Sequence, residues 1–152
     1  MKKYQLNKEN YIKEKQLHIQ RLELNNVIIL EHKLPHMQTL IEYFNKEYNW
    51  GDMFTIDDVV KRINSGHILF ILYYDEQPIG YVWFREIDTN TCFGYNLYVT
   101  HKVNRPANSA DWFYNKVSGI MLEKYNTIDV EIEDWNRVVF DLVENIGYKH
   151  IW

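Results

Sequence analysis

Ile128-Asp129-Val130-Glu131-Ile132 alternates apolar and acidic residues. Asn136 stands four positions on, Val139 and Leu142 recur at helical spacing, and Ile146-Gly147-Tyr148 closes the stretch. Alternation places Ile128, Val130 and Ile132 on one face of a strand, and the change of period marks the passage into a helix. That helix is predicted over about residues 137–145, where Gly147 supplies the left-handed stop and Tyr148 to Trp152 run on as a final strand. Upstream, Phe113, Val117, Ile120 and Met121 share one face of a helix predicted from Ser109 to Lys124. Before it lie three strands of a meander. Ile68–Tyr74 turns at Asp75-Glu76-Gln77-Pro78 into Ile79–Phe84, and after Asp88-Thr89-Asn90-Thr91 a third strand runs from Cys92 to Thr100.

The first third is read the same way. Tyr11, Ile12, Ile19 and Leu22 after Asn7 predict a helix over 8–22, and Val27-Ile28-Ile29-Leu30 predicts a short strand. Pro35 breaks the pattern before Met37, Leu40, Ile41 and Phe44 recur as a helix. Thr55 with Asp57 and Asp58 starts the next helix, and Asn64-Ser65-Gly66 stops it. The expected organisation is an N-terminal helical appendage, residues 1–25, and one domain, residues 26–152, in the order β-α-α-β-β-β-α-β-α-β. This is the α/β (α+β) class, a mixed, mostly antiparallel twisted sheet flanked by helices.

Composition sets limits on function. The 152 residues are 46% hydrophobic, 25% charged and 16% aromatic, the profile of one globular domain. A single cysteine, Cys92, forbids an internal disulfide, and His18, His32, His36, His67 and His150 show no metal-ligand spacing, so no metal site is expected. The longest apolar run, Ile68 to Tyr74, is far short of the ~20 residues of a membrane span, and the polar start is no signal peptide. A cytoplasmic location is expected. A net charge of -4, with Lys8, Lys13, Lys15 and Arg21 interleaved with Glu9, Glu14 and Glu23, argues against a nucleic-acid partner. Trp83, Tyr95 and Trp112 are expected in the core, whereas Trp135 is read either as lining a cleft or as capping the last helix.

The element order resembles the GNAT superfamily of acetyl-CoA-dependent N-acetyltransferases over about residues 26 to 152. Two stretches carry the likeness. Tyr74-Asp75-Glu76-Gln77-Pro78-Ile79-Gly80-Tyr81-Val82 resembles the family's second and third strands. Ile128-x-Val130-x-Ile132-x-x-x-Asn136 with Ile146-Gly147-Tyr148 resembles its C-terminal signature. The resemblance implies that Cys92–Thr100 and Ile128–Ile132 are parallel strands that splay apart. A pantetheine arm would pair with Leu97, Tyr98 and Val99 beside Asn136, and the pyrophosphate would sit at the N-terminus of the following helix. The loop for that anion is Asn104-Arg105-Pro106-Ala107-Asn108-Ser109-Ala110. Read from Arg105, Asn108 takes the place of the family's first glycine and Ala110 that of the second. Asn tolerates the left-handed backbone, and the resemblance makes Arg105 a candidate phosphate contact.

Acetyl-CoA is thus the implied co-substrate, and N-acetylation of a primary amine on a small molecule or peptide the implied activity. A catalytically silent ligand- or protein-binding domain is the alternative. The family's Tyr acid on the last helix is replaced by Val143, and Phe93 to Val99 contains no carboxylate, which leaves His101 as the candidate base. Trp50 and Asp52 are the candidate acceptor contacts, with Asp57 and Asp58 adding negative charge near the expected entry. No membrane partner is expected, and homodimerisation is left open.

Overall fold

A computed structural model describes residues 1–13, 22–27 as backbone, 33–48, 54–101 and 105–151. Eleven elements follow in order: β1 (Lys2–Asn7), β2 (Leu22–Val27), α1 (Leu34–Tyr48), α2 (Ile56–Asn64), β3 (Ile68–Tyr74), β4 (Gln77–Glu86), β5 (Thr91–Val99), α3 (Ser109–Lys124), β6 (Thr127–Ile132), α4 (Arg137–Ile146) and β7 (Lys149–His150). The chain divides into two compact units, residues 1–18, 84–95 and 111–152, and residues 19–83 and 96–110. Strands β4 and β5 run through both.

In the first unit the strand order is β5-β6-β1-β7. β1 lies antiparallel to β6, with Lys2 opposite Ile132 and Asn7 opposite Thr127, and antiparallel to β7 at Tyr4 and Gln5. Tyr4 and Leu6 are buried while Lys3 and Gln5 alternate to the other face, and Gln5 Nε2 donates to Asp129 Oδ1 at 2.8 Å. The N-terminus is therefore a sheet strand, where the sequence led us to expect a helical appendage. Asn7 ends that strand. Its side chain accepts from the Asn10 amide at 2.9 Å and closes a turn. Residues 14–21 of the expected helix lie outside the described residues, and Leu22 begins a strand. β5 and β6 run parallel for three residue pairs, from Thr91↔Thr127 to Phe93↔Asp129, where the ladder ends.

The core of this unit is aromatic. Tyr114 stacks on Tyr148 at 5.8 Å and on Phe84 at 6.2 Å, and the Tyr148 hydroxyl meets Ser118 Oγ at 3.0 Å. Cys92 is buried, and desolvation, with the Asp129 charge, pushes its thiol up to about 12. The chain after β1 is strapped to α3 and to the end of α4. The Tyr11 hydroxyl donates to Asn115 Oδ1 at 2.9 Å, Asn115 Nδ2 to the Ile12 carbonyl at 2.8 Å, and the Ile12 amide to the Ile146 carbonyl at 2.8 Å. Gly147 ends α4 at φ 113°, as the sequence predicts, and β7 keeps only two residues of the strand expected from Tyr148 onward.

In the second unit the strand order is β2-β3-β4-β5. β2 pairs antiparallel with β3 from Leu22↔Tyr74 to Val27↔Leu69, so the strand precedes the predicted Val27–Leu30; residues 28–32 lie outside the described residues. Leu69 to Tyr73 are all buried, as befits a strand with neighbours on both sides. The β3–β4 connection is tighter than expected. Asp75 and Glu76 alone form it, at φ 49° and 66°, and Gln77-Pro78 already belong to β4. Pro35 in its first turn fits α1, which buries Met37, Leu40 and Ile41. α2 starts after Thr55 as its sequence predicts, and a capping box closes its first turn. Thr55 Oγ1 accepts from the Asp58 amide, and Asp58 Oδ2 accepts from the Thr55 amide at 2.9 Å.

Candidate functional site

The chemistry-bearing groups of the second unit gather where β5 ends. Asn96 sits inside β5 at φ 52°, a left-handed residue that breaks the pleat before Leu97 to Val99. Arg62 of α2 holds it there. The guanidinium donates to Asn96 Oδ1 at 3.1 Å and lies over the rings of Phe54, at 4.6 Å, and Trp83, at 5.1 Å. The Tyr98 side chain is turned into the core, edge-on to Phe44 at 5.3 Å and tilted against Tyr81 at 5.4 Å. What β5 offers a ligand at Tyr98 is thus its backbone. Gly80 brings β4 close there, since a Cβ at 80 would stand 2.6 Å from the Tyr98 carbonyl oxygen, and the Thr100 amide donates to the Ile79 carbonyl at 2.8 Å.

Next comes the loop into α3. Asn108 adopts φ 63°, the left-handed conformation expected of the residue standing in for glycine. The buried Ser109 turns its hydroxyl back to the Pro106 carbonyl, closing the turn and committing that hydroxyl to the loop. Ala110 is half-buried behind it. Arg105 is also half-buried, and its Nη2 donates to His101 Nδ1 at 3.3 Å. The His101 ring itself is exposed.

One residue that the sequence did not mark stands at the centre. Glu47, in the last turn of α1, accepts at Oε1 from Thr100 Oγ1 at 2.7 Å and from the His101 amide at 2.9 Å. Its Oε2 and the Tyr98 hydroxyl are both buried and form no hydrogen bond among the described residues. Burial alone would raise the Glu47 carboxyl. Thr100, Tyr98 and the His101 amide together outweigh that and hold it below the usual carboxylate range. Nothing in Asn45-Lys46-Glu47-Tyr48 distinguishes this glutamate, because its partners lie more than fifty residues away.

An aminoglycoside acetyltransferase from an uncultured soil metagenomic sample, crystallised with sisomicin, matches with a TM-score of 0.64 at 13% identity, over 82% of this chain and 86% of its own. A protein from Novosphingobium aromaticivorans described as an acetyltransferase of the GNAT family matches at 0.65 and 12%, over 97% of this chain and 59% of its own. The PaiA N-acetyltransferase from Thermoplasma acidophilum, in complex with coenzyme A, matches at 0.62 and 13%, over 84% and 90%. No protein-family model matches the sequence, and no curated protein matches it. The chain has the GNAT fold.

Within this GNAT fold the expected site residues fall into three groups. Leu97, Tyr98, Val99, His101, Arg105, Asn108, Ser109 and Ala110 belong to the second unit and follow one another from the end of β5 to the start of α3. Asn136 belongs to the first unit, where its Oδ1 accepts from the Val139 amide at 3.4 Å as the N-cap of α4. Trp135 beside it is 76% exposed, while Trp83 and Trp112 are buried as expected and Tyr95 is half-buried. Asn104, Trp50 and Asp52 lie outside the described residues. Asp58, expected near the acceptor entry, is engaged in the α2 capping box, and its carboxyl is held low chiefly by the Thr55 amide.

Proposed function

We propose that the chain is an N-acetyltransferase that transfers an acetyl group from acetyl-CoA to a primary amine of a small-molecule or peptide acceptor. The observation that carries this reading is the left-handed Asn108 in a short loop between β5 and α3. It is the conformation that glycine serves in the family, and it leads directly into the first amides of a sixteen-residue helix. Acetyl-CoA supplies an activated thioester. Arg105 and the amides at the start of α3 are the groups to hold its pyrophosphate, and the backbone of Leu97 to Val99 is the edge for its amides.

For the chemical step the chain's own contribution is placement. An uncharged amine held against a thioester needs mainly proximity and a polarised carbonyl, so the absence of a carboxylate from Phe93 to Val99 is compatible with turnover. The same absence, together with Val143 in place of the family's Tyr acid, is what favours the second reading, a catalytically silent ligand- or protein-binding domain.

Two measurements separate them. Thermal unfolding with acetyl-CoA at about 100 times its dissociation constant should gain ~2.7 kcal/mol if the chain is an acetyltransferase. A thiol-release assay over polyamines, aminoglycosides and amino-terminal peptides then yields turnover with at least one amine if the chain is an enzyme. Stabilisation without turnover across that panel leaves the binding domain. No stabilisation at millimolar acetyl-CoA removes the acetyltransferase.

A further inference from the structure

The geometry points to Glu47 as a positioning residue for the anion loop, acting through His101 on Arg105. This rests on the reading of Arg105 to Ala110 as the place of the CoA pyrophosphate. The relay is short. Glu47 Oε1 takes the His101 amide at 2.9 Å and Thr100 Oγ1 at 2.7 Å, which fixes the point where β5 gives way to the loop. The His101 ring then accepts from Arg105 Nη2 at 3.3 Å, so the guanidinium is oriented by a residue whose own backbone Glu47 holds. The other end of the lever is α1, whose Met37, Leu40 and Ile41 are buried in the core of the unit.

Glu47 itself is unsuited to touching either substrate. Oε1 is occupied by two donors, Oε2 is buried, and a carboxylate repels a pyrophosphate. That gives the inference a sign that simple electrostatics does not share. Removing a negative charge near an anion site should tighten anion binding if charge were all that mattered. Removing the acceptor that holds His101 should loosen it.

The test is calorimetric titration of the full chain with CoA, with urea midpoints measured in parallel. Glu47→Ala should weaken CoA by roughly tenfold, within the range of couplings carried by residues that do not touch the ligand. Glu47→Gln, whose amide oxygen still accepts from Thr100 and His101, should stay within about twofold of wild type. The double variant Glu47→Ala/Arg105→Ala should be no weaker than the worse single variant, because both break one relay. Where turnover is measurable, the KM for acetyl-CoA rises in Glu47→Ala while kcat holds.

Equal or tighter CoA binding by Glu47→Ala overturns the inference, as does a lowered urea midpoint with unchanged affinity, and additivity with Arg105→Ala overturns the relay. If Glu47→Ala does not fold, Thr100→Val removes one of the two donors while leaving the carboxylate. It should lose roughly twofold to fivefold, and unchanged affinity there overturns the inference. A wild-type chain that binds no CoA fails earlier and differently: the pyrophosphate reading falls, and this one with it.

Discussion

Gly80→Ala tests the part of the structure on which any use of the β5 edge depends. The added Cβ would lie 2.6 Å from the Tyr98 carbonyl oxygen, 3.0 Å from Val99 Cγ2 and 3.2 Å from Val99 Cα. Ordinary contact begins at 3.4 Å, so the backbone of β5 has to retreat by about 0.8 Å at Tyr98. Two of the three obstacles are main chain and the third is a β-branched side chain with little rotamer freedom, so the misfit cannot be relieved locally. Overpacking of this kind costs about 1–3 kcal/mol, against which the lower backbone entropy of Ala in a strand returns roughly 0.5–1 kcal/mol. The net expectation is a loss of about 1–2 kcal/mol. For a chain of this size that lowers Tm by roughly 2–8 °C. Thermal and urea unfolding followed by circular dichroism measure it. Because the retreat falls on the segment assigned to pantetheine, CoA affinity should drop as well. A variant as stable as wild type would refute the close approach of β4 to β5, and a destabilised variant with unaltered CoA affinity would refute the role of the Tyr98 backbone.

Three further outcomes are expected. Gly147→Ala sets a Cβ onto the Asn10 carbonyl oxygen at a residue already at φ 113°, and should cost ~2 kcal/mol or more by urea titration. Asn108→Gly relieves a left-handed asparagine, so Tm should hold or rise by the equivalent of up to ~1 kcal/mol with CoA binding retained, whereas Asn108→Val should lower both. Glu47 and Asp58 are both held below their ordinary carboxylate values, so their stabilisation is complete at neutral pH and is lost as pH falls through the folded-state values. The acid limb of a Tm-against-pH curve should flatten in Glu47→Gln/Asp58→Asn, and an unchanged limb would refute the assignment.

What the sequence made legible was mostly local. The start of α2 at Thr55, the stop at Gly147 and the buried Phe113, Val117, Met121 and Leu142 are each written within one or two turns of chain, although α3 also buries Trp112, Tyr114 and Leu122 outside its expected face. The left-handed Asn108 was legible for the same reason, since few residues other than glycine tolerate that backbone. The failures share the opposite property. β1 offers only Tyr4 and Leu6 as an alternating pair, and it is a strand because β6 supplies its hydrogen bonds from the far end of the chain. The irregularity at Asn96 depends on Arg62, thirty-four residues earlier, and Glu47 on Thr100 and His101. Side chains recruited across such separations carry no mark in their own neighbourhood.

The place of β1 has a consequence for how the molecule comes into being. Residues 2–7 leave the ribosome well before the strand they pair with, which ends at Ile132. At ~5–20 residues per second, Tyr4 and Leu6 wait roughly 6–25 s with their apolar side chains uncovered and their backbone unpaired. Such distant pairing slows closure of the first unit and exposes the nascent chain to strand-mediated aggregation until translation nears the last helix. Expression should therefore respond to whatever shields those few residues in the interval, such as trigger-type chaperones, lower temperature or slower initiation, more than to the stability of the finished fold.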